Sequence, residues 1–190
     1  MKRLSVAVLC YVMCAGATAV CAQVAPSADH RQLSLTLGGM ASVFQPDYAG
    51  GGIAQASPNR LFGIGGYADV RFTRWVQVEA EARWLRLNQF MNIHQDNYLI
   101  GPRLPIHTFG RITPYGKILF GMGHMNFENG QTSCRCSDIA YGGGADVQLT
   151  KRLSWRAIDF EYQQYPDWYV LQTSQLHPYG FSMGVGYKLF

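Results

Sequence analysis

The sequence predicts an all-β protein, an eight-stranded antiparallel up-and-down transmembrane β-barrel, on three observations. Gln77, Glu79, Glu81 and Arg83 interleave with Val76, Val78, Ala80, Ala82 and Trp84, so one face of that segment is charged and the other apolar. The alternation recurs in eight segments, each about 10 residues long, which is the length of a tilted membrane crossing. The connections between them alternate long, short, long, short, long, short, long, as expected when tight turns lie on one side of a membrane and open loops on the other.

In chain order, the first element is a leader. Lys2 and Arg3 form a basic start, Leu4 to Ala19 an uncharged apolar core, and small residues follow. Cleavage is expected after Ala19 or after Ala22, leaving residues 1–22 as a signal peptide and 23–190 as one barrel domain. The apolar run is shorter than the roughly 20 residues of a spanning helix. Val20 before Cys21 is too large for the usual lipoprotein cleavage motif. Gly at 21 residues, aromatics at 13% and charged residues at 15% suit a barrel better than a helical domain. The net charge of +4 includes the leader's two bases, so the mature excess is too small to argue for nucleic acid.

The first strand, Leu33 to Phe44, sets Leu33, Leu35, Leu37, Ala41 and Val43 against Ser34, Thr36 and Ser42. A long loop, Gln45 to Asn59, contains Gly50, Gly51 and Gly52. The second strand, Leu61 to Phe72, turns Phe62, Ile64, Ala68, Val70 and Phe72 outward and Tyr67, Asp69 and Arg71 inward. Thr73 and Arg74 lead directly into the third strand, Val76 to Leu85, and a longer loop then runs from Arg86 to Asp96. The fourth strand, Tyr98 to Thr108, carries Pro102 and Pro105, which is unusual in a paired strand.

Gly110 and Arg111 make the next short turn. The fifth strand, Thr113 to His124, places Ile118, Phe120 and Met122 outward and Tyr115 and Lys117 inward. A third long loop is expected over Met125 to Ser137, holding Cys134 and Cys136. The sixth strand, Ile139 to Leu149, opposes Tyr141, Ala145, Val147 and Leu149 to Asp146 and Gln148. In the seventh, Leu153 to Tyr165, the polar positions change parity between Ser154 and Arg156 and the later Asp159, Glu161 and Gln163. One extra residue near Ala157 or Ile158 restores a single polar face, so a β-bulge is predicted there. After a fourth long loop, Pro166 to Gln175, the eighth strand shows Phe181, Met183, Val185, Tyr187 and Leu189 on its outer face.

The polarity chooses between two kinds of barrel. A lipocalin-like soluble barrel has an apolar interior and a charged exterior. Here the inward positions hold Asp69, Arg71, Glu79, Glu81, Arg83, Arg103, Lys117, Asp146, Arg156, Asp159 and Glu161, six acids against five bases, and the outward set is almost free of charge. That is a lipid-facing exterior around an ion-paired lumen.

With its alternation, its loop asymmetry and the terminal run from Gly184 to Phe190, the chain resembles the small outer-membrane β-barrel family, the OmpA/OmpX-like group. The resemblance spans the mature chain. It implies a Gram-negative outer-membrane protein in contact with membrane lipid and lipopolysaccharide, with both termini periplasmic and the C-terminal Phe190 read by the barrel-assembly machinery. It also implies a monomer without a cofactor; lacking the further domain of longer relatives, the chain is not expected to bind peptidoglycan.

Function is less legible. An eight-stranded barrel is just wide enough for its own side chains to fill, so a plugged lumen is expected in preference to a channel. That leaves a structural or surface-interaction role carried by the loops, with a narrow pore as one rival. The other rival is a lipid A-modifying enzyme, which needs a nucleophile beside a base at the membrane rim. His94, His107, His124 and His177 with Ser133, Ser137 and Ser174 are the available residues, but none has a triad spacing, and His124 falls on the outward parity. Cys134 and Cys136 are read as a loop disulfide and not as a metal site, for which two thiolates are too few ligands. Trp75, Trp84, Trp155, Tyr165, Trp168 and Tyr169 fall near strand ends, as in an interfacial aromatic girdle.

Overall fold

The computed structural model describes residues 33–46, 60–73, 75–87, 94–127, 132–166 and 177–190. The expected leader, most of the long loops, and Trp168, Tyr169 and Ser174 lie outside them. Eight strands close into an antiparallel barrel in sequence order: β1 (Ser34–Gln45), β2 (Leu61–Arg71), β3 (Gln77–Leu87), β4 (His94–Pro105), β5 (Ile112–Phe127), β6 (Thr132–Gln148), β7 (Leu153–Gln164) and β8 (Tyr179–Lys188). Closure comes from β1 pairing with β8, from Thr36 opposite Lys188 to Gln45 opposite Tyr179. Every strand thereby has two neighbours and no edge is left within lipid.

Three short turns define one end, and their residues explain their tightness. Thr73 Oγ1 accepts from the amides of Trp75 and Val76, at 3.2 and 3.0 Å. Thr150 Oγ1 repeats the device with Arg152 and Leu153, at 3.3 and 2.9 Å. In the turn between β4 and β5, Gly110 has φ +62°, a left-handed backbone that glycine adopts without a steric penalty.

The seventh strand carries the expected bulge. Against β6, Ala145 faces Ile158 while Asp146 faces Arg156, and against β8 the register shifts between Arg156 and Asp159. The extra residue returns Arg156 and Asp159 to the same interior, where they are 0% and 1% exposed.

Several strand boundaries differ from the sequence expectation. Residues Met125 to Phe127 and Thr132 to Ser137, expected in a loop, are strand, with Met125 opposite Cys134 and Gly123 opposite Cys136. The fourth strand begins at His94 instead of Tyr98 and ends at Pro105. Arg86 and Leu87 extend β3. Polar runs such as His94 to Asn97 resemble solvated loop, yet Gln95 and Asn97 hold the inward parity and are each 1% exposed. Pro102 is accommodated where the ladder to β5 is interrupted, between the Ile100–Phe120 and Arg103–Lys117 pairs, because a proline has no N–H to donate.

The outer surface is a band of exposed apolar side chains, among them Leu37, Ile64, Ile100, Phe120, Met183 and Val185. Inside, one close approach shows how tightly the bore is packed. A Cβ on Gly38 would stand 2.2 Å from Cζ of Tyr67, whose ring lies 3.7 Å beneath the Arg156 guanidinium. Gly38→Val is therefore expected to displace Tyr67 and destabilise the barrel by about 1–3 kcal/mol, the usual range for overpacking. The urea midpoint in micelles measures this, and an unchanged midpoint would show that the ring is free to move aside.

Candidate functional site

The lumen is built by strand parity. Odd residues of β2 to β5, even residues of β6 and the post-bulge odd residues of β7 point inward, so acids and bases from six strands meet across the bore. Lys117 on β5 is the centre. Its Nζ lies 2.9 Å from Glu79 Oε1, 2.6 Å from Glu81 Oε1, 2.6 Å from Asp159 Oδ2 and 2.7 Å from Glu161 Oε1.

Toward the long-loop end, Arg83 grips Glu161 with both terminal nitrogens at 2.8 Å and reaches Glu81 Oε2 at 2.8 Å. Toward the short-turn end, Arg156 contacts Glu79 Oε2 at 2.7 Å and Asp69 Oδ2 at 3.2 Å. Arg103 donates to Asp69 at 2.6 Å and pairs with Asp146, and its guanidinium stacks 3.7 Å over the Tyr115 ring. Bidentate, charge-assisted bonds of this kind hold side chains in one geometry, and ring faces add attraction where water is excluded. The carboxylates of Glu79, Glu81 and Asp159 come within 4.8 Å of one another, a spacing that suits a cation. The Lys117 ammonium touches all three and supplies that charge from the protein itself.

Of the eleven expected lumen charges, Arg71 is the exception. It has the inward parity but stands exposed at the last residue of β2, outside the packed network. Asp146 is partly open, with a side chain 23% exposed. The others are buried.

A second polar layer lies beyond the charges that the sequence predicts. At the long-loop end, Asn97 Nδ2 donates to Asp138 Oδ2 at 2.5 Å and to the Tyr165 hydroxyl at 2.6 Å. Gln95 Nε2 donates to Gln163 Oε1 at 2.9 Å and to Tyr165 at 2.8 Å. Tyr165 is 0% exposed, so it is a lumen residue and not part of an outer girdle. The signal was available, because Tyr165 continues the parity of Glu161 and Gln163. Phe44, Leu61 and Leu85 form a buried apolar cluster beside this layer. Trp75, Trp84 and Trp155 are exposed on the outside, and Trp84 Nε1 donates to Tyr98 Oη at 3.1 Å.

The four described histidines do not assemble into one site. His107 packs edge-on against Phe109 in the β4–β5 turn. His94 and His124 lie at the opposite ends of those strands, and His177, which precedes β8, stacks on Tyr162. Cys136 is disulfide-bonded and 2% exposed; the Cys134 side chain lies outside the described residues.

The family model described as outer membrane protein beta-barrel domain matches residues 12–188. No curated protein matches the chain in sequence. Among solved structures, the chain is similar to the N-terminal β-barrel domain of Pseudomonas aeruginosa OprF, at 12% identity, covering 83% of this chain and 100% of that one with a TM-score of 0.56. It is also similar to Neisserial surface protein A, at 10% identity over 82% and 96% of the two chains, TM-score 0.58. The outer membrane protein OprG from Pseudomonas aeruginosa gives 13%, 84%, 97% and 0.58 for the same quantities. At these identities the likeness is one of fold.

Proposed function

This chain belongs to the outer membrane protein beta-barrel domain family, and from that membership we propose that it acts as a sealed, monomeric outer-membrane barrel with a structural and surface-interaction role. The observation that carries this reading is the filled bore. Arg83, Lys117, Arg156, Glu79, Glu81, Asp159 and Glu161 are each 5% exposed or less and bond to one another across the lumen. An ion crossing the membrane would have to break several charge-assisted bonds at once. A rigid scaffold of this kind serves best as a mount for its loops, whose strand ends include Gln45, Leu87 and Phe127.

In this reading the leader is removed near Ala22, the assembly machinery recognises the C-terminal segment that ends at Phe190, and the apolar band contacts lipid and lipopolysaccharide. Folded barrel placed in planar bilayers is expected to remain electrically silent. Reproducible conductance steps carried by heat-modifiable, folded protein would instead establish the narrow pore.

The same reading closes Cys136 with Cys134, two residues earlier on β6. Trypsin cleaves after Arg135, between them. An unreduced digest is expected to hold the two flanking peptides together until a reductant is added, and separate peptides before reduction would disprove the pairing.

A further inference from the structure

The short-turn end of the bore opens into a cavity of about 190 Å3 beneath Arg103. Its cations come from separate elements. Arg71 ends β2 opposite Ser34, and Lys188 ends β8 opposite Thr36, so both flank β1 on the inward parity. Lys151 comes from the β6–β7 turn, held against β8 by a 2.7 Å bond from the Lys188 amide to the Arg152 carbonyl, while the Arg152 guanidinium donates to the outward-facing Tyr187 hydroxyl at 3.3 Å.

The cavity's carboxylates, Asp69 and Asp146, are both engaged by Arg103 and Arg156 at its floor. Among the described residues, no carboxylate pairs with Arg71, Lys151, Arg152 or Lys188, and the described short turns contain no acid. Arg103 lines the cavity at 3% exposure, with its Nε 3.4 Å from Glu79 Oε2 and its terminal nitrogens on Asp69 and Asp146, so its charge closes the floor. Like charges gathered in a recess with low-dielectric walls focus a positive field. The planar Arg71 guanidinium and two ammonium groups beside hydroxyls such as Thr36 and Ser154 match the oxygen geometry of a phosphate. The volume admits several waters, each occupying about 30 Å3, or one phosphate group with a short substituent.

We propose that this recess is a binding site for a phosphate-bearing anion, held by Arg71, Lys188 and Lys151. That it opens to the periplasm rests on the proposed outer-membrane reading together with the periplasmic termini that the family resemblance implies. The recess itself lies below the packed network and does not depend on that network being sealed. The phosphate comes from a soluble periplasmic compound or from the headgroup of an inner-leaflet lipid.

The test is an NMR titration of isotope-labelled barrel in phosphatidylcholine nanodiscs, with inorganic phosphate, with glycerol 3-phosphate, and separately with phosphatidylglycerol added to the disc. Saturable shifts at the amides of Arg71 and Lys188 are expected. Saturation by the soluble phosphates identifies a soluble ligand; a response to phosphatidylglycerol alone identifies the lipid. Arg71→Gln with Lys188→Gln is expected to weaken binding by at least about tenfold, as removal of bonds to a charged group does. Arg111→Gln, at the same end but outside the cavity, leaves it unchanged. Heat-dependent gel mobility checks that each variant folds, and Lys151→Gln, in an exposed turn, replaces the double variant if that fails. No saturable response to any probe, undiminished binding in the cavity variants, or an equal loss in Arg111→Gln would overturn the site. Bilayer conductance is unaffected by any of these outcomes, so the sealed-barrel reading stands or falls separately.

Discussion

Replacing Lys117 by methionine is expected to cost the folded barrel about 3–5 kcal/mol, the range for removing one partner of a buried ion pair. Methionine keeps nearly the volume of the side chain, so the loss comes chiefly from charge and not from a cavity. Four carboxylate oxygens now within 2.9 Å of Nζ would face one another without the cation that separates them. Arg83 and Arg156 remain, but they already bond to Glu161, Glu81 and Glu79 and cannot move to the centre without leaving those positions. Urea unfolding in micelles should show a lower midpoint with an unchanged slope. Adding Glu81→Gln should return part of the loss, with a coupling of about 0.5–3 kcal/mol for residues in direct contact. A change below about 1 kcal/mol in the single variant would place Lys117 among solvated pairs and show that water fills the bore.

How far the sequence foretold this network depended on what parity can carry. The bulge at Ala157 was readable because polar residues switch from Ser154 and Arg156 to Asp159, Glu161 and Gln163, and a one-residue slip would otherwise turn a whole charged set into lipid. Inward and outward sets were readable for the same reason in β3, β5 and β8. The upper layer was not. Gln95, Asn97 and Asp138 are polar residues at strand ends, and polarity there reads equally well as a solvated loop. Only the observed pairing of β4 with β5 and of β5 with β6 makes these positions interior. Tyr165 carried two conflicting signals, an aromatic at a strand end and an inward parity, and the parity prevailed. Arg71 shows the converse, because inward parity at the last residue of a strand leads to the mouth and not to the packed centre. Nor could the sequence say which acid each base would meet. Those partners come from strands as far apart as β2 and β7, and the stagger of the closed barrel sets their heights.

The outer face yields the second large effect. Phe120→Arg is expected to destabilise the membrane-inserted barrel by about 2–4 kcal/mol, the cost of arginine near the bilayer midplane. Phe120 lies on β5 between Ile100 of β4 and Ile139 of β6 and is 50% exposed, so the substitution leaves the lumen untouched. Its size separates the two environments that an eight-stranded barrel can occupy. In water, exchanging an exposed phenylalanine for arginine away from any special feature changes stability by only about 0.5 kcal/mol either way. In lipid, the guanidinium must be dragged toward a headgroup or hydrated by a defect. Depth supplies the control, since Trp155 is also outward but lies near the start of β7, close to the short-turn interface. Trp155→Arg should therefore incur only about 0–1 kcal/mol of membrane penalty. The two variants, unfolded by urea from phosphatidylcholine vesicles, are expected to differ in that order. Equal and small effects would mean that the apolar band is not the surface that meets the acyl chains, whereas a steep dependence on depth places Phe120 in the hydrocarbon and Trp155 at its edge.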